Sequence, residues 1–212
     1  MSNATAVNLP ADWSPSSWRQ RFALLLEHSQ YDKHFGAFAR LFLLLGILMF
    51  LTEAAINTVY LVRPTEQYLY FLVQTARLFL FAALLWWFRP EGGFRPTSAG
   101  ERLLWSLGAG YILACILIGV CHRLAYGFTI GPHDEMSHYP KLAALTGMLF
   151  FALGSCYWGW CYAFGALFFL ASLFMAVNIP LAGFVHGSLW LLVLTIISAR
   201  LQRLARAAET TD

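Results

Sequence analysis

Charge is what this sequence has least of. Lys, Arg, Asp and Glu together make up 12% of 212 residues, about half the roughly 25% of an ordinary soluble domain, which excludes a water-soluble globule. The net charge of +3 is small, and the composition fits no disordered, collagenous or nucleic-acid-binding class. Cysteine is scarce too: the four present form no C-x-x-C pair, so no paired-cysteine metal site is encoded. The phosphate-binding G-x-x-x-x-G-K, the G-x-S-x-G elbow, internal repeats, heptad arrays and low-complexity tracts are all missing. The polar segments are too short to house a soluble catalytic domain, so any enzyme here has to work within the bilayer.

Apolar sequence is what remains. Hydrophobic residues reach 59%, aromatics 17%, and mean hydropathy is +0.60. A helix needs about 20 predominantly apolar residues to cross a hydrocarbon core of roughly 30 Å. Six stretches approach that length: Leu41 to Val62, Tyr68 to Phe88, Leu103 to Cys121, Leu142 to Trp158, Cys161 to Val177 and Leu181 to Ala199. Their lengths favour helices over the shorter alternating strands of an outer-membrane barrel. The expected fold is therefore an all-α integral membrane protein, a six-transmembrane-helix bundle over residues 41–199. Only Gly159-Trp160 and Asn178-Ile179-Pro180 divide the last stretches, so five helices with a re-entrant segment stay open as an alternative.

Lys and Arg set the expected orientation. With the N-terminus inside, Arg19, Arg21, Lys33, Arg40, Arg89, Arg95, Arg102, Arg200, Arg203 and Arg206 fall on the inner side, against Arg63, Arg123 and Lys141 outside. Both termini are thus expected in the cytoplasm, in a cell membrane, with the first span an uncleaved signal-anchor. Within residues 1–40, Ser14-Pro15 reads as a helix N-cap with Pro at N1. Trp18, Phe22, Leu25 and Leu26 then share one face opposite Arg19, Gln20 and Glu27, as in a helix lying on the inner membrane surface; a plain cytoplasmic extension of the first span is the bland alternative. Arg-rich Ala199 to Ala207 reads as a helix end held by basic residues at anionic headgroups, within a cytoplasmic basic tail over 200–212.

Two charges fall inside spans, Glu53 in the first and Arg77 in the second. Counting about 1.5 Å per residue from each midpoint places both roughly 2 Å outward of the bilayer centre, so an ion pair between them is expected. Asn57 is one turn after Glu53 and Gln74 one turn before Arg77. These two lie about 6 to 8 Å outward, as does His186 in the sixth span at about 6 Å. Glu53, Asn57, Gln74, Arg77 and His186 thus form the expected buried polar cluster. It reads first as a network fixing helix register, then as a binding pocket or ion path, and last as a catalytic centre.

The loop from Arg123 to Pro140 holds His133, Asp134, Glu135 and His138, groups able to bind a divalent cation or sense pH. The spacing is not H-E-x-x-H, so a solvated polar loop is the favoured reading and no metal is assigned. His122 and His186 as axial haem ligands differ in depth by about 9 Å, and no cofactor is assigned either. Cys115, Cys121, Cys156 and Cys161 read as small buried hydrophobes. Trp86, Trp87, Tyr157, Trp158 and Trp160 are placed at the inner interface and Tyr60, Tyr68 and Tyr70 at the outer. Ser106, Gly110 and Ala114 give the third span a smooth stripe for close packing.

Three strings, Leu51-Thr52-Glu53-Ala54-Ala55, Glu101-Arg102-Leu103-Leu104-Trp105-Ser106 and Cys156-Tyr157-Trp158-Gly159-Trp160-Cys161-Tyr162, resemble the multi-helix membrane region that follows the catalytic domain in some bacterial serine/threonine protein kinases. The resemblance covers about residues 20 to 205. The chain has no glycine-rich loop, H-R-D or D-F-G, so no kinase activity carries over; what the resemblance implies is membrane anchoring or signal input. The expected function is a non-catalytic anchoring, sensing or assembly module in the lipid bilayer, with a protein partner or a second copy and no nucleic acid. A small transporter or channel is the alternative, and an intramembrane enzyme or haem protein the third reading.

Overall fold

The computed structural model describes residues 35–63, 66–88, 99–126, 136–156 and 158–209. Among them every regular element is helical: α1 (Phe35–Val62), α2 (Gln67–Trp87), α3 (Ala99–Tyr126), α4 (Tyr139–Cys156), α5 (Trp160–Val177) and α6 (Ala182–Glu209), with a 3-10 turn at Ile179–Leu181. The surface helix expected before the first span lies outside the described residues, as do His133, Asp134, Glu135, Tyr157 and the side chains of His122 and Cys156.

Each apolar stretch becomes one helix because hydrocarbon-level backbone must satisfy its own N–H and C=O groups. Pro180 has no N–H to donate, and the chain uses it in the 3-10 turn that ends one helix and starts the next. Four segments are long and apolar enough to cross a membrane: Gly36–Val62, Tyr68–Trp87, Trp160–Val177 and Ile179–Arg203. The apolar part of α3 is shorter, Ser106–Cys121, and α4 opens on Pro140 and Lys141.

Two antiparallel helix pairs make the core, and glycine seams both. Along α1 and α6, Ser198 Oγ donates to the carbonyl of Ala39 at 2.7 Å, Gly46 faces Leu194, Gly187 faces Phe50 and Glu53, and Gly183 faces Asn57. A Cβ at Gly187 would stand 2.8 Å from Glu53 Cβ and 3.2 Å from the backbone of Phe50, so only glycine permits that approach. In the α4–α5 hairpin, a Cβ on Gly147 would meet the Gly165 carbonyl at 3.1 Å, and one on Gly165 the Gly147 carbonyl at 2.9 Å. Phe150, Phe164 and Phe168 fill the space between this hairpin and α6.

The third helix departs from the packing expected for it. Ser106 and Gly110 are exposed, and nothing lies within 4 Å of a Cβ built on Gly108, Gly110 or Gly119. Four-residue spacing gives a smooth face but does not say which way it turns; α3 leaves Ser106 and Gly110 exposed and meets α4 through Tyr111. Tyr70, expected at the outer interface, is buried in the core, whereas Tyr68, Trp86, Trp87 and Trp160 are exposed.

Candidate functional site: a buried carboxylate shared by four helices

Glu53 sits on the α1 face that meets α6, and its side chain is 2% exposed. A carboxylate there is tolerable only with charge-compensating and hydrogen-bonding partners. It has them on three other helices. From α2, Arg77 Nη1 donates to Oε1 at 2.5 Å. From the first residue of α4, the Tyr139 hydroxyl donates to Oε2. From α6, His186 Nδ1 stands 3.7 Å from Oε1, an electrostatic contact longer than a hydrogen bond.

The state of His186 follows from its other nitrogen. Trp190, one turn on, directs Nε1–H at His186 Nε2 at 3.3 Å. An indole only donates, so Nε2 carries no proton and the ring is the neutral Nδ1–H tautomer, its proton toward Glu53. One carboxylate and one guanidinium therefore leave the cluster without net charge.

Asn57, one turn beyond Glu53, has a separate task. Its Oδ1 accepts from the Phe184 backbone N–H at 3.4 Å, one of the first-turn donors that a helix cannot satisfy itself. Tyr111 of α3 joins at the edge: its hydroxyl bonds Thr146 Oγ1 of α4 at 2.9 Å, and its ring meets Trp190 edge-on at 6.3 Å. Tyr139 and Phe168 close over His186 with centroids at 5.5 and 6.3 Å.

Of the five residues expected to cluster, Glu53, Arg77 and His186 converge, Asn57 adjoins them as a helix cap, and Gln74 stays out. Gln74 is half-buried and makes no hydrogen bond among the described residues. Tyr139, Trp190 and Tyr111 are members that sequence reasoning missed. Trp190 had a signal, the four-residue step from His186 on one helix. Tyr139 had none: beside Pro140 and Lys141 it reads as loop, but it opens α4 within reach of the Glu53 carboxylate.

Neither titratable group is placed for general-base work, since Glu53 has both oxygens engaged and His186 Nε2 is held by the indole. Among the described residues no three His, Cys, Asp or Glu side chains come together as a metal site. His138 lies at the start of α4, stacked on Tyr139 at 5.7 Å. Cys115, Cys121 and Cys161 are free thiols, and Cys121 is exposed, not buried as expected. No protein-family model, curated protein or solved structure matches the chain.

Proposed function

We propose that this chain is a non-catalytic membrane module that anchors, senses or assembles through a partner, its helices crossing a cell membrane six times with both ends in the cytoplasm. The observation that carries the reading is the state of Glu53: one buried carboxylate engaged from three other helices, with its charge matched by Arg77. That is the pattern of a register-fixing network. The crossing number rests on six sequential helices, and the orientation on the surplus of Lys and Arg in the segments assigned to the inner side. The resemblance to kinase-associated membrane regions supports signal input or anchoring.

Two measurements on the full chain test this. Chemical cross-linking in native membranes followed by purification should give a defined complex or a homo-oligomer, and proteoliposomes should show no ion or solute flux above protein-free vesicles. A monomer carrying a flux that Glu53→Gln abolishes would establish the transporter reading instead.

A further inference from the structure

The helices are unequally held. In the apolar 18-residue stretch of α2, 6% of residues are buried, against 39%, 33% and 39% in those of α1, α5 and α6. The α1–α6 and α4–α5 pairs each have glycine seams where backbones meet, whereas α2 contains no glycine. Its inner half rests on α1 through Phe81, Leu84, Leu85 and Phe88 around Leu41 and Leu45. In lipid such contacts exchange for acyl-chain contacts at little cost, because there is no hydrophobic drive between helices. A charge pair has no such substitute in hydrocarbon. Its place is central: Arg77 is the midpoint of Gln67–Trp87.

We propose that α2 is a strap, latched to the bundle at its midpoint by Arg77 and Glu53 and free to swing from it once that pair is broken. The proposal rests on the membrane-embedded reading above. Two features make the latch asymmetric. On the bundle side, a Glu53 that has lost its charge no longer needs the cation and keeps Tyr139 and His186 beside it when Arg77 leaves, so the core stays assembled. On the strap side, the outer end is tied through the 63–66 connection, where Arg63 Nη1 bonds Glu66 Oε1 at 2.9 Å and Glu66 N–H bonds the Arg63 carbonyl at 3.1 Å. The outer end of α2, where Tyr70 is buried in the core, is thus the pivot, and the inner end around Trp87 makes the excursion. Loss of negative charge at Glu53 is what opens the latch, and Glu53→Gln reproduces it.

The test is a spin-label distance at the inner end, between cysteines placed at Trp87 and Arg200, both exposed, in a chain whose native cysteines are replaced by alanine. In lipid nanodiscs the parent should give one narrow distribution. Glu53→Gln and Arg77→Met should each add a longer, broader population, raising its ratio to the latched one roughly tenfold, equivalent to about 1.4 kcal/mol. Tyr139→Phe, which leaves the Arg77 pair in place, should keep the narrow distribution. An unchanged distribution in Arg77→Met would overturn the strap, as would equal broadening in Tyr139→Phe. If Glu53→Gln does not fold, Arg77→Met decides alone, and failure of Arg77→Met to fold would itself overturn the proposal, because Tyr139 and His186 would then not suffice for Glu53. None of these results depends on a partner or on flux, so the strap can fail while the anchoring reading stands.

Discussion

At the scale of the residue, the cost of desolvating Glu53, several kcal/mol for a carboxylate, is offset by charge from Arg77 and a hydrogen bond from Tyr139. The two charges were legible in the sequence because depth can be counted along a helix, and charge is so rare here that two groups at matching depth stand out. The hydroxyl was not, since nothing in the sequence says how deep α4 begins. Removing the Tyr139 hydroxyl withdraws a hydrogen bond to a charged group, worth about 1.5–3 kcal/mol. Tyr139→Phe should therefore lower the thermal unfolding temperature in detergent; a value equal to the parent's would remove Tyr139 from the network. His186 carries its own prediction. Nitrogen-15 chemical shifts of its ring should report the Nδ1–H tautomer, and Trp190→Phe should let the Nε2–H tautomer appear, because the indole donor at Nε2 is gone. A ring already in the Nε2–H form would contradict the assignment.

Between elements, close approach separates the bundle into helices that are fixed and helices that are not. Gly183 and Gly187 hold α6 against α1 on the same face as Glu53 and Asn57, a seam the sequence reading missed, whereas the stripe it singled out was Ser106, Gly110 and Ala114. Spacing alone does not say which way a stripe faces; that depends on which neighbour the helix finds, and it is set by the whole bundle. The contrast is measurable. Gly187→Ala places a methyl 2.8 Å from Glu53 Cβ and should destabilise by about 1–3 kcal/mol. Gly110→Ala, with nothing within 4 Å of its added carbon, should stay within about 0.5 kcal/mol of the parent or stabilise slightly. Equal effects at the two positions would mean that α3 packs through its glycines after all.

On the scale of the whole molecule, six helices in sequence place the 63–66 connection at one end of the bundle and the last turns of α6 at the other. The proposed orientation then predicts accessibility in a cysteine-free chain in sealed right-side-out vesicles. A cysteine at Glu66 should react with an impermeant thiol reagent at once, and one at Arg206 only after permeabilisation; the reverse pattern would invert the topology. What holds α1, α2, α4 and α6 to one another at a single point is the Glu53 carboxylate, and its coupling to Arg77 is the claim on which the rest depends. A double-mutant cycle of Glu53→Gln, Arg77→Met and both together, read by thermal unfolding of the full chain in detergent, measures it directly. The account predicts a coupling of at least about 1.5 kcal/mol, with the double variant more stable than the sum of the single losses allows. Losses that add to within about 0.5 kcal/mol would contradict it.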